Sequence, residues 1–176
     1  WADSDGMKIL GIDPGLRVTG YACLELSTSG STPRVVEAGV FRIDPAASLE
    51  LRLASLHEDL DSTLEDLAPD LVAVETLYSH YRRARTAILM AHARGAVLLT
   101  CAKRSLSVTD FVATEVKKSI TGNGHADKAQ IQEAVTQQLG LAERPSPYDV
   151  SDAMAIALCA SRRLHQPDTT DYSAAV

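Results

Sequence analysis

The stretch Met7-Lys-Ile-Leu-Gly-Ile-Asp13-Pro-Gly constrains this chain more than any other. A short apolar run bounded by a turn is a buried strand. This one stops on a carboxylate at its carboxyl end, where Pro14 and Gly15 enforce a tight turn. Tyr21-Ala-Cys-Leu is a second apolar run, so the pair is expected to form a hairpin. An acid held between two rigid apolar strands is poorly solvated and stays ionised most readily when a cation sits on it. In open α/β sheets ligands collect outside the carboxyl ends of strands. Asp13 is therefore a candidate metal ligand.

The rest of the chain supplies what such a hairpin needs. After the turn-rich segment Ser27-Thr-Ser-Gly-Ser-Thr-Pro, Arg34 to Ile43 alternates apolar and polar residues and predicts a third, edge-side strand. Ser48 is a candidate N-cap, and Leu49, Leu53, Leu56, Leu60, Leu64 and Leu67 recur at intervals of three and four, an amphipathic helix that Pro69 ends. Asp70 to Glu75 repeats the opening pattern, a continuous apolar strand with an acid at its carboxyl end. A helix followed by a strand without a tight turn implies a parallel crossover, which puts Asp13 and Glu75 at the same edge of the sheet. A long helix is expected from Tyr81 to Lys103, a fifth strand from Leu106 to Phe111, and a short helix capped by Thr114 and running through Ile120. A further helix opens at His125 or Asp127, and a last one runs from Tyr148 to Leu164.

That last helix bears Asp149 and Asp152, spaced i, i+3 and so on one face, ahead of a smooth apolar run that buries it against the sheet. Taken singly, each acid has an ordinary structural reading: turn former, strand end or N-terminal helix acid. Four clustered carboxylates, however, repel one another unless cations neutralise them. An oxygen-only set suits Mg²⁺, with Mn²⁺ a plausible substitute, and excludes a zinc-type site. Two such ions per site form the apparatus of phosphodiester hydrolysis, one activating water and the other stabilising the leaving oxyanion.

Composition sets outer limits. The 176 residues are 45% hydrophobic, enough for one core, and only 5% aromatic, so that core is aliphatic. The expected division is an arm or expression remnant over residues 1–6, a single domain over 7–165 and a polar tail over 166–176. Cys23, Cys101 and Cys159 are far apart in apolar surroundings, which predicts free thiols of a reducing compartment. With no apolar run approaching a membrane span, the expected location is the cytoplasm. A net charge of −6 argues mildly against a nucleic-acid partner. Yet the acids concentrate in the leucine-rich helix, and Arg82, Arg83, Arg85, Lys117, Lys118 and Lys128 would lie nearer the acid edge.

Gly11-Ile-Asp-Pro-Gly with Thr19-Gly, Val74-Glu75 with Tyr78 three residues on, and Ala93-Arg-Gly in the long helix form an ordered set. Val116-Lys-Lys-Ser-Ile-Thr-Gly-Asn-Gly-His-Ala-Asp-Lys and Asp149-Val-Ser-Asp-Ala-Met-Ala-Ile-Ala complete it. Together, from Met7 to Arg163, they resemble the motifs of RuvC-type Holliday-junction resolvases. The resemblance implies an RNase H-like α/β fold, with a mixed five-stranded sheet antiparallel in its first three strands and parallel later. It also implies a homodimer that makes two symmetric nicks across a four-way DNA junction, with a branch-migration motor as a possible further partner. It casts Asp13, Glu75, Asp149 and Asp152 as metal ligands and catalytic residues, and places Lys117 and Lys128 near the scissile phosphate. Tyr78 stands where the family usually has a phenylalanine that stacks on a junction base, which a tyrosine ring can also do. Ser79-His-Tyr-Arg-Arg-Ala-Arg departs from a family segment that is smaller and less basic, and His125, a candidate DNA contact, occupies a variable position.

Three other readings compete. A sugar-kinase or ATPase domain opens similarly but needs a second such domain and lacks the terminal paired aspartates. A non-catalytic junction-binding module would be favoured by a missing acid, and all four are present. A related RNase H-like nuclease acting on another nucleic acid shares all of these residues.

Overall fold

In the computed structural model, residues 6–27, 32–76 and 84–165 are described. Five strands, β1 (Lys8–Asp13), β2 (Val18–Glu25), β3 (Arg34–Arg42), β4 (Leu71–Thr76) and β5 (Val108–Val112), form one sheet in the order β3-β2-β1-β4-β5. The β1–β2 and β2–β3 pairs are antiparallel, and β1–β4 and β4–β5 are parallel. Helices α1 (Leu49–Leu67), α2 (Ala84–Lys103), α3 (Ala113–Thr121), α4 (Lys128–Gln138) and α5 (Tyr148–His165) cover its faces.

Strand alternation divides the core into two aliphatic layers. Leu10, Ile12, Val72 and Val74 point to one face, where the α1 leucines 56, 60, 64 and 67 and Ala93, Val97 and Cys101 of α2 meet them. Ile9, Ala73 and Phe111 point to the other, against α3, α4 and α5. Gly11 and Asp13 continue the Ile9 row and Glu75 continues the Ala73 row, so both strand-end acids stand on the α5 side. The three cysteines are buried and free, as expected.

The boundaries differ from expectation where backbone, and not periodicity, decides. The predicted fifth strand starts at Val108 instead of Leu106, because Ser105 takes a left-handed turn (φ 57°) and the Leu106 amide donates to the Cys101 carbonyl. Thr114 is inside α3 and not its cap: β5 passes straight into the helix, with Val112 at the N-cap position. Ser48 occupies the N-cap position of α1, but its side chain caps none of the helix amides. Asp127, not His125, opens α4, through a capping box in which its carboxylate accepts from the Gln130 amide and the Gln130 side chain accepts from the Asp127 amide. Tyr78, Arg82 and Arg83 lie outside the described residues.

Candidate active site

The sheet register brings the first two acids together. Ile12 is paired with Val74 across the parallel β1–β4 ladder, so Asp13 and Glu75, one residue further along, end neighbouring strands on one face. On the other side of β1, Asp13 pairs with Gly20 of β2. A Cβ at Gly20 would lie 2.0 Å from the Asp149 carbonyl oxygen and 3.2 Å from the Asp149 Cβ. Only a glycine at this position lets the first turn of α5 rest on the strand beside Asp13. Gly11 does the same for the next turn of the helix, where a Cβ would lie 2.2 Å from the Ala153 carbonyl oxygen. The alanines of α5 thus seat the helix on two strands, and the seat brings Asp149 and Asp152 to the strand-end acids.

Electrostatics reports the convergence. Burial raises the Asp13 carboxyl well above its ordinary 3.8, and the charges of Glu75, Asp152 and Asp149 raise it further. Burial, then the Asp152 charge, raises Glu75. Asp152 is raised by burial even though the Lys128 ammonium donates to its Oδ2 at 3.1 Å. Burial works against the charge of Lys128, but Asp152, with Asp13 and Asp149 behind it, lifts its pKa overall. The Lys117 charge acts on Glu75 and Asp152 from α3. Lys118, the next residue, is exposed, as adjacent helix positions diverge. His125 is exposed in the Gly122-Asn-Gly turn, its amide donating to Asn123 Oδ1 at 2.9 Å. His57 and His92 are engaged elsewhere, His57 with Thr100 and Lys103, and His92 with the Ile88 carbonyl.

The four carboxylates are neighbours in charge but not a closed ligand set. Among the described residues no three acid, histidine or cysteine side chains stand at metal-holding spacing. What fits a hard divalent cation is the donor chemistry: acids only, with the charges of Glu75, Asp152 and Asp149 raising Asp13 and the Lys128 charge opposing them.

A cleft of about 860 Å³ opens beside them, lined by Asp13, Asp149, Lys128, Arg85, Arg17 and Arg52 among others. Sequence reasoning missed Arg17 and Arg52. The available signal was a basic residue inside the turn that directly follows Asp13, and an arginine on the polar side of the first turns of α1.

A mixed sheet in this order, with helices on both faces and acids delivered to one strand-end edge, defines an RNase H-like nuclease. The family model for crossover junction endodeoxyribonuclease RuvC matches residues 9–160. The chain belongs to that family. It is 48% identical over 159 residues to the crossover junction endodeoxyribonuclease RuvC of Rhodopirellula baltica, covering 90% of this chain and 88% of that one. The Caldicellulosiruptor saccharolyticus enzyme of the same description is 44% identical over 168 residues, covering 92% and 99%. Among solved structures, T. thermophilus RuvC in complex with Holliday junction substrate superposes with a TM-score of 0.80 at 26% identity, covering 90% of this chain and 96% of that one.

Proposed function

We propose that this chain resolves four-way DNA junctions by paired symmetric nicks, with Asp13, Glu75, Asp149 and Asp152 holding divalent cations, two Mg²⁺ per site. Residues 7–165 act as one nuclease domain. The observation that carries the reading is the seat of α5 on Gly20, opposite Asp13, which gathers acids from β1, β4 and α5 at one edge. When bound, the cations supply an activated water and charge stabilisation of the leaving oxygen. The chain's own residues do the rest. Asp13, on a strand between two others, is the acid with least freedom to move and fixes the centre of the site. Lys128, at the first turn of a capped helix, holds Asp152 in place and offers its remaining donors to the phosphoryl oxygens. Lys117 and Arg85 give the backbone of the DNA further positive charge, Lys118 and His125 lie at the periphery of that path, and Tyr78 stacks on a junction base.

Symmetric nicking calls for two active sites related by a two-fold axis, so the acting form is a homodimer. In support, an apolar groove of about 660 Å³ runs between α1 and α2, lined by Leu53, Ala54, Ile88, Ala91, Gly95 and Leu99. Ile88 and Leu99 are 56% and 62% exposed there, an unusual display for a helix with Ala93 and Val97 fully buried on its other face. A branch-migration motor is a further partner that junction processing would supply. No helix among the described residues is long and apolar enough to cross a membrane.

The deciding experiment compares nicking of four-way junctions, flaps, plain duplex and RNA–DNA hybrids with and without Mg²⁺. Paired nicks confined to the junction and abolished by Asp13→Asn, with junction binding retained, are expected. Equal cutting of the hybrid would move the chain to the broader nuclease class. A parent that binds junctions but never cuts them would make it a binding module.

A further inference from the structure

The turn between β1 and β2 presents a side chain that the acids and lysines do not account for. Leu16 is buried, while Arg17, the next residue, is exposed. The backbone that carries them is pinned throughout. The Gly15 amide donates to Thr19 Oγ1 at 3.0 Å, and the fully buried Thr19 hydroxyl donates back to the Gly15 carbonyl at 2.6 Å. Arg52 of α1 donates to the Leu16 carbonyl through Nε at 3.0 Å and also through Nη2. The Ile43 amide donates to the Arg17 carbonyl at 3.1 Å. Arg17 therefore leaves a rigid turn just past Asp13 and lines the same cleft as Asp13, Asp149 and Lys128.

Its charge is also uncommitted. Among the described residues, Arg34, Arg94, Arg104, Arg144 and Arg163 pair with carboxylates, and Arg52 and Arg162 are tied to carbonyl oxygens. Among the same residues Arg17, Arg42 and Arg85 make no ion pair, and of these Arg17 and Arg85 line the cleft. In a chain with more acids than bases, free guanidinium groups beside an anionic site are a place for an external anion. A guanidinium on a pinned backbone loses little freedom on gripping a phosphate with its planar fork.

Building on the junction-nuclease reading, we propose that Arg17 binds a phosphate of the cut strand neighbouring the scissile one. The strand then crosses Asp13 held from two sides, by Lys128 from the α5 face of the sheet and by Arg17 from the turn.

The test measures junction affinity across a salt series in the Asp13→Asn background, which keeps the DNA intact, and nicking kinetics with Asp13 present. Arg17→Ala is compared with Arg17→Lys and with Arg34→Ala, which removes the same charge at the opposite end of the sheet, where Arg34 pairs with Glu25. Arg17→Ala is expected to weaken binding about tenfold and to lower the slope of log affinity against log salt by about one phosphate contact, roughly 0.9. KM should rise with kcat near the parent value, and the melting temperature should hold. Arg17→Lys should keep the salt slope and recover part of the affinity, and it serves as the folded variant if alanine loosens the turn. Arg34→Ala should match the parent. If Arg17→Ala and Arg34→Ala behave alike in a parent that nicks junctions, the Arg17 assignment is overturned. The same follows if kcat alone falls with binding and salt slope intact. A parent that neither binds nor nicks junctions overturns the function reading, and this proposal with it.

Discussion

Replacing Gly20 by alanine adds one methyl group at the point where α5 meets the sheet. That carbon would lie 2.0 Å from the Asp149 carbonyl oxygen, whereas real contacts are essentially never under 3.0 Å. Strand or helix must therefore give by at least about 1 Å, and the obstacle is backbone, so no side-chain rotation relieves it. The displacement falls on the residue that pairs with Asp13 and on the turn that bears Asp149. A misplacement near 1 Å at reacting groups costs on the order of 10²-fold in rate. Overpacking of this kind costs roughly 1–3 kcal/mol of stability, a drop of about 2–12 °C in melting temperature for a domain of this size. The assay is single-turnover junction nicking with Mg²⁺, beside a thermal melt of each variant. Leu60→Ala is the control: Leu60 is fully buried in the opposite layer, and its truncation costs about 2–5 kcal/mol without touching the acid edge. Gly20→Ala should lose about a hundredfold in nicking at a temperature where both variants are folded, while Leu60→Ala stays within a few-fold of the parent. A Gly20→Ala protein that nicks at the parent rate would refute the claim that the helix seat sets the spacing of Asp13 and Asp149.

Asp13→Asn should stabilise the cation-free protein at neutral pH. The folded Asp13 pKa lies above its unfolded value near 3.8, so the parent is penalised as pH rises through the folded value, and below about pH 3.8 the two proteins should melt alike. Melting scans in chelator across pH check this; a variant less stable than the parent at pH 7 would contradict it. Added Mg²⁺ should raise the melting temperature of the parent and hardly move Asp13→Asn, since a ligand stabilises only the fold that binds it. Lys128→Gln should lower nicking by about 10²-fold with little change in junction affinity, read by single-turnover and equilibrium binding measurements. Asp127→Ala removes the capping box of α4 at a cost of about 1 kcal/mol, and should also slow nicking several-fold by loosening Lys128, which a melt and a nicking assay test together.

Much of this was legible in the primary structure because the signals were repeated and rigid. Two apolar strands ending on Asp13 and Glu75, the six leucines of α1 and the i, i+3 aspartates of α5 each have one sensible geometry, and the observed strand order and helix spans follow them. The places that escaped were governed by backbone contacts with no side-chain pattern. The direct passage of β5 into α3 left Thr114 with nothing to cap, and the left-handed Ser105 delayed β5 by two residues. Gly20 was visible only as a motif residue, since its role depends on a helix far along the chain pressing on it. Arg17 was overlooked for a related reason: an exposed cation in a turn has no periodicity, and what draws attention to it is the cleft it shares with Arg85 and its pinned backbone.

The two faces of the sheet have different occupations. All four acids and the three candidate lysines belong to the layer built on α3, α4 and α5, while the open groove belongs to α1 and α2. The sheet separates most of the groove from the acids, and α1 and α2 reach the acid cleft at one end, through Arg52 and through Arg85, Thr86, Leu89 and Met90. Substitutions at Ile88, Ala91 and Leu99, which line the groove and not the acid cleft, can therefore reshape that surface and leave the cutting edge undisturbed.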